Sequence, residues 1–182
     1  VYKIASFEIT DIPLIEYAAS KHKPMVLATG IATEEDIQLA VEACRRMGNN
    51  DITVLKCTSS YPAPVEEANL CMIRDLAERF QVKSGLSDHT LGSVSPIVAV
   101  TQGASMIEKH FILNRSIGGP DCSFSMEEKD FAQMVKDVRM AELSLGKTTY
   151  ELTEKMRGSR SASRSLYVAE DMKAGEVITE RN

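Results

Sequence analysis

Three histidines occur in the chain, and two of them fall where catalysis would need them. His22 sits in Lys21-His22-Lys23, the composition of a surface turn. His89 and His110 instead lie at or near the C-terminal ends of two successive apolar segments, residues 82–89 and 105–113. If those segments are neighbouring parallel strands, their ends lie side by side. Two imidazoles could then reach one divalent ion, for which imidazole nitrogen is a common ligand. Asp88, Glu108 and Asp121 lie near them in sequence. A lone histidine at either position would more often be a hydrogen-bonded core residue, so on pattern alone both readings stand.

Lys3 and Lys56 interrupt apolar segments. A lysine is rarely buried without a partner, so one at the mouth of a site would meet an anionic substrate. The competing account is an apolar stem with its head in water. A third is a Schiff-base nucleophile, which requires a depressed pKa. Glu8 follows the first apolar segment and is placed either to hold a substrate hydroxyl or amide, or to mark a helix entry before Asp11 and Pro13. Gly118-Gly119-Pro120-Asp121 is a rigid turn that would aim Asp121 inward, or simply a turn. Cys44, Cys57, Cys71 and Cys122 form no CxxC unit and read as buried, reduced, unreactive thiols.

The elements that must position these groups alternate in period. Strands are expected at 1–7, 24–30, 51–58, 82–89 and 105–113, spaced by one βα unit each time. Between them, Ile37, Ala40, Val41, Cys44 and Met47 recur at helical spacing, opened by a Thr33/Asp36 capping box and closed by Gly48. Leu70, Ile73, Leu76 and Phe80 form a second such face. Residues 125–146 form a third, with Ser125 suited to its N-cap. Five βα units imply a parallel sheet covered by helices, either an open doubly wound sheet or part of an eight-fold barrel. No GxGxxG follows the first strand. Polar residues gather at the strand C-termini, where barrel enzymes carry their chemistry. A whole barrel needs about 250 residues, so this reading places further strands upstream.

Residues 147–164 are polar and end in an Arg/Ser-rich run, which reads as a solvated linker in preference to a phosphate or nucleic-acid site. In 165–182, Leu166, Val168, Gly175 and Val177 suggest a hairpin opening a small β domain. With 21 Lys and Arg against 26 Asp and Glu, the formal charge is −5, which argues against a general nucleic-acid binder. No apolar run approaches the roughly 20 residues that span a bilayer. The start, Val-Tyr-Lys, carries no signal-peptide pattern. A cytoplasmic protein without nucleic-acid or membrane partners is the expectation.

Seven motifs in chain order carry a family resemblance: YKIAS (2–6), TGIA (29–32), KCTSSYPAP (56–64), GLSDHT (85–90), IEKHF (107–111), GGPD (118–121) and RSLYV (164–168). On these the chain resembles the sialic acid synthase family, which condenses phosphoenolpyruvate with an amino-sugar aldehyde. Within it, ASFEITDIPLIEY, the lysine before Cys57, and Phe124-Ser125-Met126 are similar to the pseudaminic acid branch, whose sugar is a diacetamido-trideoxy-altrose. The neuraminate and legionaminate branches, and a non-catalytic sugar-acid-binding barrel, are the alternatives.

The resemblance implies an α/β fold in which residues 1–146 are the C-terminal five βα units of a TIM (β/α)8 barrel. Residues 147–164 would be a linker, and 165–182 the start of an antifreeze-like (SAF) domain. The remaining strands and most of the SAF domain would lie outside this chain, which alone is expected to be inactive; the full-length protein is expected to be a domain-swapped homodimer. By matching motif, His89 and His110 would bind Mn²⁺, with Mg²⁺ or Co²⁺ as alternatives. Lys3 would bind phosphoenolpyruvate, and Ser59, Tyr61 and Ser87 its phosphate or carboxylate. Relatives often have asparagine where Ser59 stands. Glu8 and Asp121 would be the catalytic carboxylates, Glu8 at the aldehyde end of the acetamido-deoxy-hexose and Asp121 near the sugar or the metal's water.

Overall fold

Five short segments, apolar in β2 and β3 and more polar in β4 and β5, become parallel strands: β1 (Tyr2–Ile4), β2 (Met25–Ala28), β3 (Ile52–Cys57), β4 (Lys83–Asp88) and β5 (Ile107–Lys109). The structure is a computed structural model that describes residues 1–182. The strand order is β1-β2-β3-β4-β5, with no reversal anywhere in the sheet. A doubly wound sheet reverses its order at a switch point, so the sequential order selects the barrel wall over the open sheet.

Helices α1 (Ile12–Ala19), α2 (Glu34–Arg46), α3 (Met72–Phe80) and α4 (Val94–Thr101) connect the strands, and α5 (Glu128–Leu145) follows β5. Strand side chains alternate between faces. Ile4, Leu27 and Val54, paired in register, pack with Ile15, Val41 and Leu76 in one core cluster. Leu86 packs on the same side with Ile73 and Ala99. The helices thus cover one face, while Lys3, Ala28, Leu55, Cys57, Ser87 and Glu108 belong to the other by the same alternation. Thr33 and Asp36 form the expected capping box of α2, with Asp36 N to Thr33 Oγ1 at 3.2 Å and Thr33 N to Asp36 Oδ2 at 2.8 Å. The Thr33 hydroxyl, donating to Asp36 Oδ2 at 2.7 Å, and the Thr33 N–H together hold the Asp36 carboxyl below the usual carboxylate range.

Several expectations change. The strands are shorter at both ends than the apolar runs, because the polar residues after Cys57, Asp88 and Lys109 leave the ladder and become the loops of the site. Helix α5 starts at Glu128 with Glu127 at its N-cap, not at Ser125. The preceding backbone is held extended by Met126 N to His110 O and Ile112 N to Met126 O, both 2.9 Å, while Ser125 Oγ donates to Asp121 O. All four cysteines are free, but only Cys44 and Cys57 are buried; Cys71 is exposed and Cys122 partly so.

The chain divides into two compact units, Val1–Gly146 and Lys147–Asn182. Within the second, the expected linker contains α6 (Glu154–Arg160), capped by Thr153 Oγ1 accepting from Met156 N. The hairpin expected in 165–182 is absent. One backbone bond, Ala169 N to Asn182 O, joins its ends, and Leu166, Tyr167 and Val177 are exposed. A two-stranded ribbon with no apolar face to bury has little to hold it.

Gly85 in β4 is required by space rather than backbone angle. A Cβ there would lie 2.4 Å from Met106 O and 2.7 Å from Leu55 Cδ2. Gly85→Ala is therefore expected to cost about 1–3 kcal/mol, the usual range for overpacking. A urea midpoint equal to that of the parent protein would contradict it.

Candidate active site

The site is built where β4 and β5 run side by side. Asp88 and Lys109 are register partners, and each immediately precedes one of the two histidines. Lys109 Nζ lies 2.6 Å from Asp88 Oδ2 and donates at 2.6 Å to Thr90 O. The two side chains are 2% and 1% exposed. Asp88 Oδ1 accepts from Thr90 N at 2.9 Å, so the carboxylate and the ammonium are both multiply bonded. A buried ion pair repays its desolvation only with this kind of additional bonding. The next residue on each strand points to the opposite face, which sends His89 and His110 inward together.

Their rings are 5.2 Å apart, centroid to centroid, at an interplanar angle of 73°. Tyr61 lies 4.3 Å from the His89 ring, and Phe124 5.0 Å from the His110 ring and 5.9 Å from Tyr61. His89 Nδ1 is 2.8 Å from Thr58 O, which assigns the proton to Nδ1 and leaves Nε2 without a protein partner. Cys57 Sγ is a longer 3.9 Å from the same nitrogen. His110 Nδ1 is 3.6 Å from Asp121 Oδ2. His89 thus has a hydrogen-bonded outer partner on Nδ1, the arrangement that orients metal-ligating histidines, while Asp121 stands near His110 beyond hydrogen-bond distance.

Burial disfavours charge on His89, but its contacts with Cys57, the Thr58 carbonyl and Asp88 outweigh burial and raise its pKa. Burial and the neighbouring His89 lower that of His110. Burial likewise opposes ionisation of Cys57, yet contacts with His89, Ser6 and Ser87 bring its pKa below the ordinary thiol value. Cys44, in an apolar core, is pushed up to about 11 by burial. The two buried thiols therefore differ, and Cys57 belongs to the site.

Lys3 Nζ reaches Glu108 at 3.1 Å, and Ser87 Oγ donates to the same Glu108 oxygen at 2.7 Å. Lys3 is on β1 and Glu108 on β5, the two edge strands, so the sheet curls enough for side chains of its concave face to meet across it. Ser59 Oγ is buried with no hydrogen-bond partner. Beside it, a Cβ on Gly30 would lie 2.1 Å from Ser59 Oγ, 2.7 Å from Ser6 Oγ and 3.0 Å from Cys57 Sγ, so only glycine fits. Gly30 N donates to Ser6 Oγ at 3.0 Å.

The structure brings Ser59, Tyr61, Ser87, His89, His110 and Asp121 to this mouth, with Lys3 across the concave face. Glu8 is exposed, and its Oε2 accepts from Ala5 N in the 3-10 turn after β1. Lys56 lies on the opposite, helix-covered face and donates to Cys57 O and Thr58 Oγ1. Burial lowers its pKa. Ser6, Gly30, Cys57 and Phe124 were not among the expected site residues, and Glu108 only as a neighbour of the metal. The period-two alternation would have put Cys57 and Glu108 on the inner face with Ser87.

The NeuB family profile matches residues 1–150. The chain is 51% identical over its whole length to the pseudaminic acid synthase of Helicobacter pylori, covering 54% of that protein. It is 34% identical to the N,N'-diacetyllegionaminic acid synthase of Legionella pneumophila over 99% of its length, covering 52% of that protein. A crystal structure of the N-acetylneuraminic acid synthetase from Leptospira borgpetersenii, in complex with citrate, superposes with a TM-score of 0.80 and 32% identity, covering 88% of this chain and 56% of that one. The chain spans about half the length of the curated relatives it matches.

Lys109→Met is expected to destabilise the fold by about 3–5 kcal/mol, because it leaves Asp88 charged and unpaired. Adding Asp88→Asn should recover part of the loss in chemical denaturation, and a double variant no better than the single one would contradict the pairing. In metal-free protein, NMR titration should show His110 charging only below the ordinary histidine value of about 6.5, with His89 still charged above it. The reverse order would refute the contacts assigned to the two rings.

Proposed function

The chain belongs to the NeuB family, and from that premise we propose that the protein it spans condenses phosphoenolpyruvate with a diacetamido-trideoxy-altrose, as a pseudaminic acid synthase. The sugar assignment is supported by the 51% identity to the Helicobacter enzyme against 34% to the Legionella legionaminate enzyme. The observation that carries the reading is the buried Ser59 hydroxyl, which has no protein partner and shares the concave mouth with the histidine pair. An unsatisfied buried hydroxyl costs free energy, and an anionic oxygen of the substrate would satisfy it.

The donor set fits a divalent ion such as Mn²⁺. His89, oriented through its Nδ1 bond to Thr58 O, and His110 would hold it as neutral imidazoles, His89 giving up on binding the second ring proton that it otherwise retains. No group of three His, Cys, Asp or Glu side chains converges closely enough to hold an ion by itself, which leaves positions for water and substrate oxygens. When bound, such an ion would supply Lewis-acid polarisation of the aldehyde carbonyl.

The remaining roles fall to the chain's own side chains. Lys3 and Ser87 are held ready by one Glu108 oxygen, and the phosphate or carboxylate of phosphoenolpyruvate would become their partner on binding. Ser59 would donate to the same ligand, and the Tyr61 ring would wall it against His89. Asp121 would orient His110 and the sugar, and the free oxygen of Glu8 would accept from a sugar hydroxyl or amide. In the reaction, C3 of phosphoenolpyruvate bonds to C1 of the sugar, whose aldehyde oxygen gains a proton. Water adds at C2, and the C–O bond to phosphate then breaks. Donors fixed around the charged groups stabilise the charge that develops without reorganising. A nine-carbon 2-keto acid and inorganic phosphate result. The expected homodimer is part of the same proposal.

Phosphate release from the full-length protein, with Mn²⁺ and phosphoenolpyruvate, tests this. Release is expected with the altrose sugar and not with N-acetylmannosamine; the opposite preference would overturn the sugar assignment. Exhaustive chelation should abolish turnover and added Mn²⁺ restore it, and turnover that survives chelation would remove the metal from the mechanism.

A further inference from the structure

A cavity of about 720 Å³ lies away from the histidines, on the helix-covered side of the sheet between α2 and α3. Its size is within the range of small-molecule sites. Thr29, just after β2, and Lys56, on β3, come to it, and Ile37, Met72, Leu76 and Phe80 supply apolar wall. At its edge Arg79 bonds both carboxylates present, Glu34 at 3.0 Å and Asp75 at 2.8 Å. Lys56 has no such partner. Its ammonium donates to two neutral oxygens, Cys57 O at 2.7 Å and Thr58 Oγ1 at 3.3 Å, and forms no ion pair. One of its three N–H donors remains. The cavity therefore holds a half-buried ammonium without an ion-pair partner against apolar side chains, while both carboxylates of the lining are held by Arg79.

We propose that this outer cavity is a binding site for a small organic carboxylate with an apolar body, its carboxylate on Lys56 and its body between Ile37, Leu76 and Phe80. Charge complementarity chooses an anion, since a neutral apolar ligand would leave the ammonium further desolvated and unpaired. A phosphate-like dianion would need further donors, but those of the lining are engaged with protein oxygens: Thr29 with Leu55 O, Asn69 with Glu67 O and Arg79 with its two carboxylates. Lys56 already binds the carbonyl of Cys57 and the hydroxyl of Thr58, and the Thr58 carbonyl receives the His89 proton. The outer cavity and the inner site are thus joined through consecutive residues at the end of β3. The binding site itself does not depend on the synthase reading.

The test titrates 4-(trifluoromethyl)benzoate into the full-length protein and follows it by fluorine NMR. Saturable binding in the millimolar range or tighter is expected, unchanged by excess phosphoenolpyruvate. Lys56→Met keeps the stem and removes the charge, and should weaken binding about ten- to a hundredfold, the effect of losing one charge-assisted hydrogen bond. Cys71→Trp, placed on the exposed wall of the cavity, should abolish binding without disturbing the core. No saturable binding, displacement by phosphoenolpyruvate, or equal affinity in a folded Lys56→Met or Cys71→Trp variant would each overturn the proposal.

Discussion

The buried Asp88–Lys109 pair is the constraint on which the histidine geometry depends. It joins β4 to β5 on the helix-covered face, where an unpaired charge would be costly. Strand alternation converts that requirement into a statement about the other face: once residues 88 and 109 point outward in register, 89 and 110 point inward. A slip of one residue in the pairing would separate the charges and send one imidazole into the helix layer. Placement of the site and stability of the sheet edge are therefore the same physical problem.

Curvature is set differently. The Lys3–Glu108 pair spans the two edge strands, but both side chains are about a third or more exposed, and such pairs contribute little. It reports the curl and does not cause it. The cause is packing on the convex side, where Ile4, Leu27 and Val54 meet α1, α2 and α3 in one cluster. With helices on one face only, a twisted parallel sheet closes toward the uncovered side, and its polar concave residues converge.

The concave pocket is tight as well as polar. Gly30 lets Ser6, Cys57 and Ser59 approach within a space that a single methyl would fill. That closeness puts a thiol beside His89 and an orphan hydroxyl beside the thiol. The contrast with Cys44 shows how far context governs a residue type, since burial among apolar groups raises one thiol while hydrogen bonding lowers the other.

The sequence by itself determined the number and order of βα units, the α2 capping box, the two histidines at successive strand ends and the family. These follow from local periodicity and from motifs a few residues long, which short-range sterics and hydrogen bonding control. The barrel wall implied by the family motifs is realised as a sequential strand order, and tertiary structure alone decided which side chains meet Glu108 and Cys57 and the space that requires Gly30 and Gly85. It also moved the start of α5 past Ser125, where pairing with the strand from His110 overrides a good N-cap residue, and it left 165–182 without strands. In each case the deciding contact is between residues far apart in the chain, or is a contact that is missing. Local propensity carries no information about either.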